Sequence, residues 1–187
     1  MIVGMRYQLL LQKSKTNIMK MMKITFVCAL VFGATAFVQA QNIVGVAAAN
    51  ENFTTLVTAV KAADLVETLS SEGPFTVFAP VNDAFAALPE GTVESLLKPE
   101  SKDALTGILT YHVVSGKYDA AAVTKAIKGN KGAFTVATVQ GGEIVLSLKK
   151  GKVILTDEKG NTATVIIADV AATNGVIHAI DTVVMPE

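Results

Sequence analysis

The last third of the chain sets the tightest limit on its fold. From Gly141 onward, short strand-like segments follow one another with only turns between them. In EIVLSLK, residues 143–149, Ile144, Leu146 and Leu148 alternate with the other face, the period of a half-buried strand. KKGK then leads into KVILTD, which predicts a hairpin, and DEKGNT supplies a further turn. ATVIIADV and GVIHAIDTVV are almost continuously apolar, which predicts two final strands buried on both faces.

Upstream the period changes. Asn52 can cap a helix from Phe53, because Phe53, Leu56, Val57 and Val60 recur at helical spacing. Asn52-Phe53-Thr54 also matches a glycosylation sequon, though capping is the simpler use. A second short helix is predicted over Ala63 to Leu69, stopped by SSEG. FTVFA, residues 75–79, is a strand by its β-branched and aromatic content, and Pro80 ends it. Either Asn82 or Asp83 opens a helical segment through Leu88, and another begins at Thr92 with Glu90 and Glu94 near its positive end. A helix starting between Ser101 and Ala104 has Leu105, Ile108 and Leu109 on its apolar face. Tyr111 to Val114 reads as a short extended piece. Asp119 caps one more helix, through Ala126, which KGNKG breaks. Helices first and antiparallel strands later make an α+β fold.

The first forty residues are of a different kind. They hold Arg6, Lys13, Lys15, Lys20 and Lys23, no acid, and an apolar run from Ile24 to Phe37 that is too short for an ordinary spanning helix. The run ends at VQA, with Val38 and Ala40 at the small-residue positions of a cleavage site. That is the three-part pattern of a secretory signal peptide cut after Ala40, and an uncleaved anchor is the alternative. Cys28 in mid-run does not suit a lipoprotein junction, and translation starting at Met19, Met21 or Met22 would leave the pattern intact. The chain has 16 basic and 16 acidic residues; residues 1–40 take 5 and 0, leaving 11 and 16, a net charge of −5. Residues 41–187 contain no arginine and no cysteine. An acidic chain without a basic run is a poor nucleic-acid binder, and one without cysteine is held by its core alone. One domain over 41–187 is large enough for that, and no second apolar run follows to span a membrane.

Catalytic chemistry finds little support. Ser115 lies near His112, but VVSGK lacks the first glycine of a nucleophile elbow. Cysteine catalysis leaves with Cys28. Two histidines 66 residues apart, with no cysteine, cannot make a structural zinc site, and His178 and Asp181 would face opposite sides of a strand. GNKG and GGE lack the ending of a phosphate loop and read as turns. The scattered lysines read as a solvated face. His112 and His178 are expected to be hydrogen-bonded framework residues, with Asp83 a candidate partner for His112.

Three stretches together carry a resemblance. GPFTVFAPVNDAFAAL (73–88), LTYHVVSGKY (109–118) and ATNGVIHAIDTVVMP (172–186) resemble, in order and spacing, the signatures of the fasciclin (FAS1) domain family, over roughly Asn42 to Pro186. The resemblance implies a wedge of mainly antiparallel strands packed with a layer of short helices. It implies a secreted, periplasmic or surface-attached protein that serves cell adhesion or matrix contact and is not catalytic; the residues themselves call for no metal or cofactor. Its partner would be an extracellular protein or a matrix or cell-surface component; self-association is a further option. Binding would fall on Tyr111 and His112, and Pro80, Asn82, Asp83, Phe85, Asn174, Gly175, His178 and Asp181 would specify the fold, Gly175 by permitting a tight turn. Val81 departs from the family, which commonly has a threonine there, so a cap must come from Asn82 or Asp83. Because some related proteins bind carotenoids, carriage of an apolar small molecule is the alternative function.

Overall fold

The computed structural model describes residues 41–186; the expected leader and its cleavage after Ala40 lie outside them. Three short helices come first: α1 (Ile43–Ala48), α2 (Thr54–Ala62) and α3 (Val66–Ser70). Asn42 caps α1 by accepting from the Gly45 N–H at 2.8 Å. Strand β1 (Phe75–Pro80) follows, then α4 (Asn82–Ala86), α5 (Thr92–Leu96) and α6 (Lys102–Tyr111). After β2 (Val113–Ser115) comes α7 (Ala120–Gly129), capped by Asp119 as expected, its carboxylate accepting from the Ala122 N–H at 2.7 Å. The remaining strands are β3 (Ala133–Ala137), β4 (Glu143–Lys149), β5 (Lys152–Thr156), β6 (Thr162–Ala172) and β7 (Gly175–Ile180).

The strands form one sheet in the order β2-β1-β7-β6-β5-β4-β3. Every neighbouring pair is antiparallel except β1 and β7, which run parallel from Phe75 beside Gly175 to Pro80 beside Ile180. The two edges meet: Val114 bridges Thr138, and the Val139 N–H donates to the Val113 carbonyl at 2.7 Å. The fold is therefore α+β, with mainly antiparallel strands.

Alternation along β1 and β7 divides the interior in two. Val77, Ala79, Ile177 and Ala179 point to one core, shared with Ile43, Phe53, Leu56 and Leu109 of the helical layer. Phe78 and Ile180 point to the other, inside the bent sheet, with Tyr111, Ile127, Ile144, Leu146, Leu155 and Val184. All of β7 is buried, as its apolar run implies. β6 is not: Ile166 and Ile167 are exposed, because two register shifts against β7 carry that stretch outward, and Asp169 takes a left-handed φ of 60°.

Several local expectations are corrected. Asn52 caps nothing; Asn50 caps a 3-10 turn at Glu51–Phe53, and α2 begins at Thr54. The second helix starts later than expected because Asp64, at φ 55°, breaks the chain before Leu65. Tyr111 to Val114 is not one extended piece: α6 runs through Tyr111, His112 is its C-terminal cap, and only Val113 starts a strand. The helix α1 and the strand β3 add to the expected elements; in β3, Phe134 and Val136 alternate with exposed neighbours.

Candidate functional site

The Tyr111–His112 pair sits where α6 hands over to β2, and both side chains are buried, at 0% and 2% exposure. Neither side chain is therefore open to a partner at the two positions where the resemblance implies binding. Consecutive residues leaving a helix do point different ways here, but each points into one of the two cores. The Tyr111 hydroxyl donates to the Glu143 carbonyl at 2.7 Å. Burial, with the charges of Glu158 and Asp157 nearby, pushes its phenol up to about 12. Gly142 makes room for the ring, since a Cβ there would stand 2.8 Å from Tyr111 Cε2.

His112 lines an apolar cavity of about 30 Å³ with Ile43, Leu56, Val60, Leu109 and Ile177. Its partner is not Asp83, which is exposed in the first turn of α4. Nδ1–H donates to the Ile108 carbonyl at 2.8 Å, and Nε2 accepts from the Val184 N–H at 3.3 Å. One neighbour only accepts and the other only donates, so the ring is neutral with its proton on Nδ1. Burial lowers its pKa to about 4. His178 has the opposite tautomer. Its Nε2–H donates to the Tyr118 carbonyl at 2.7 Å, Nδ1 accepts from the Asp169 N–H at 3.3 Å, and the ring stacks on Phe78 at 5.7 Å. Neither imidazole keeps a free lone pair for a substrate proton or a metal. Among the described residues no three His, Cys, Asp or Glu side chains gather to hold a metal ion.

The other motif residues bind segments that are distant in sequence. Asn82 does not cap its own helix. Its Oδ1 accepts from the Thr55 N–H and the Thr54 hydroxyl, both at 3.1 Å, and so caps α2, while Nδ2 donates to the Glu51 carbonyl at 2.8 Å. The cap position of α4 is Val81, with no side-chain bond. Asn174 joins three segments: Oδ1 accepts from the Ile43 N–H at 2.9 Å, and Nδ2 donates to the carbonyls of Leu69 and Ser71. Gly175 is not needed for a turn. It opens β7 against β1 so closely that a Cβ would lie 2.0 Å from the Phe75 carbonyl oxygen. Asp181 accepts from the Thr164 N–H at 2.7 Å and ties the end of β7 to β6. Pro80 closes β1 in a buried position, and Phe85 packs half-buried on the first core. An open groove of about 520 Å³ lies beside this junction, lined by Asn42, Ser70, Glu72, Pro74, Lys117 and Ala172 among others.

The chain is similar to known proteins in sequence and fold. A fasciclin domain profile matches residues 51–186. Protein sll1483 of Synechocystis sp. is 61% identical over 147 residues, 79% of this chain and 74% of that protein. The transforming growth factor-beta-induced protein ig-h3 of Sus scrofa is 39% identical over 73% of this chain, which spans only 18% of that protein's length. The solved FAS1 domain pair of the insect cell adhesion molecule fasciclin I shares the fold, with a TM-score of 0.56 at 24% identity over 73% of this chain and 46% of that one. The chain belongs to the fasciclin domain family.

Proposed function

We propose that this chain is an exported adhesion module that binds an extracellular protein or a matrix or cell-surface component and performs no chemistry. One observation carries the reading: the tyrosine and both histidines of the family motifs are buried, with their polar atoms committed to backbone partners. Such residues stiffen a scaffold, and the binding function then falls to its outer surface. In this reading Tyr111 and His112 act indirectly, by holding that surface, and do not touch the partner. The relative fasciclin I is described as a cell adhesion molecule, which favours the same class. The apolar cavity, about 30 Å³, is an order of magnitude below an ordinary small-molecule pocket, so carriage of an apolar ligand is the weaker reading.

The test has two arms. Purified protein coated on a surface should retain cells or matrix components above an inert-protein control, and mass spectrometry of the native protein should find no bound lipid or pigment. A stoichiometric apolar ligand without adhesion would replace this reading by the carrier. Export predicts an N-terminus at Gln41; exported protein still carrying Met19 to Ala40 would refute the cleavage.

A further inference from the structure

Charge is unevenly spread over residues 41–187. Between Ala120 and Thr156 stand six lysines, Lys125, Lys128, Lys131, Lys149, Lys150 and Lys152, and a single acid, Glu143; the remainder holds five lysines and fifteen acids. In sequence the lysines look scattered, but the strand register gathers Lys131, Lys149, Lys150 and Lys152. Ala133, at the start of β3, pairs with Ser147 of β4. Two residues outward from that pair, on either chain, come Lys131 and Lys149. Lys149 pairs in turn with Lys152 across the β4–β5 hairpin, whose turn holds Lys150. Lys128 lies in the last turn of α7, which leads into β3. All six are exposed, and among the described residues none forms an ion pair. Glu143 sits at the far end of β4.

Local structure does not favour lysine at these places. Lys131 and Lys150 hold left-handed backbone, φ 58° and 51°, where glycine or asparagine is the easier choice. Lys149 and Lys152 set like charges directly opposite each other on a strand pair, which is destabilising. Four cations placed against local preference, with no ion-pair partner among the described residues, point to an anion outside the protein.

We propose that this lysine pole docks an anionic polysaccharide, a chain of sugars bearing carboxylate or sulfate groups. The inference rests on the adhesion reading and names its partner. The two loop tips, residues 129–132 and 149–152, contain only glycine, asparagine and lysine, so they offer nothing apolar to enter a bilayer. Residues 41–187 contain no arginine to fork onto a base, and neither tip has an aromatic ring to stack on one. Flexible lysine stems match anions displayed at irregular spacing along a chain of sugars.

The probes are heparin, sulfated, and alginate, carboxylated, with neutral dextran, phosphatidylglycerol vesicles and duplex DNA beside them. The test variant combines Lys131→Asn, Lys149→Gln, Lys150→Asn and Lys152→Gln; the control combines Lys61→Gln and Lys98→Gln, which lie outside the pole. The expected result is binding of the native chain to heparin or alginate that weakens with salt. It should weaken by roughly tenfold or more in the pole variant, about 1.4 kcal/mol, and be unchanged in the control. Because asparagine suits the two turns, the pole variant should melt no lower than the native chain, so loss of binding cannot come from unfolding. No binding by the native chain, equal binding by the pole variant, or tighter lysine-dependent binding to vesicles or DNA would each overturn the assignment. Adhesion that survives in the pole variant removes this inference and leaves the adhesion function standing. A native chain that adheres to nothing removes the adhesion function itself.

Discussion

His112 carries no charge in the folded protein, and this has a consequence for stability. Its pKa falls from 6.5 to about 4 on burial, so between those values the unfolded chain binds the proton and the folded one does not. Stability is therefore full above pH 6.5 and falls as the pH drops toward 4, by an amount of order 3 kcal/mol, with no further loss from this group below. His112→Ala should destabilise at neutral pH by about 1–3 kcal/mol, because the Ile108 carbonyl and the Val184 N–H lose their partner and the apolar cavity grows. The same variant should flatten the pH dependence between 4 and 6.5, which urea melts at several pH values would read; an unchanged slope would show that the imidazole titrates normally. Tyr111→Phe keeps the ring and strands the Glu143 carbonyl, so it should cost about 1 kcal/mol, a small loss but a measurable one. Gly142→Ala drives a methyl into the same ring and should cost more than the lost hydroxyl, in the overpacking range of about 1–3 kcal/mol, by the same melts.

At the scale of the elements, Asn82 and Gly175 show what local pattern can and cannot reveal. The cap at Asp119, the alternation of Ile144 and Leu146 and the turn at Lys150–Gly151 were legible because each is decided within a few residues. Asn82 is legible as a capping residue, but local pattern points it to its own helix, whereas the donors it serves lie 27 and 28 residues earlier and no periodicity links the two places. Gly175 likewise looks like a turn residue in the local pattern, while its constraint comes from the Phe75 carbonyl, a hundred residues back. β6 misled because an apolar run does not disclose the register shifts that turn Ile166 and Ile167 outward. Two substitutions separate these roles. Asn82→Ala should lose about 0.5–2 kcal/mol and raise amide exchange in α2 rather than in α4. Protection lost from α4 instead would restore the local cap. Gly175→Ala should be the more damaging, because a methyl 2.0 Å from a backbone oxygen can be relieved only by separating β1 from β7.

On the scale of the whole described region, the two cores share β1 and β7, and a strap beyond β7 fastens them together. Val184 is fully buried in the core inside the sheet, yet its N–H donates to His112, which lines the cavity of the core beneath the helices. The next amide, Met185 N–H, donates to the buried Asp157 carboxylate between β5 and β6. Asp157 also holds Asn161 through its backbone and side-chain amides, so the strap is tied to a turn that is itself braced. Two consecutive backbone amides thus connect the helix–strand junction at His112 with the far side of the sheet. Removing residues 183–187 takes away two buried valines and both hydrogen bonds. Burial of one valine is worth roughly 1.5 kcal/mol or more, so the deletion should lower stability by about 3 kcal/mol or more. The loss should be felt in both cores at once, because neither can open without uncovering β1 and β7. Amide exchange of Val77 and Ile177, on the helical side, should therefore speed up together with that of Leu146 and Leu155, inside the sheet. If the deletion loosens only the second pair, the cores unfold separately, and the shared strands do not couple them.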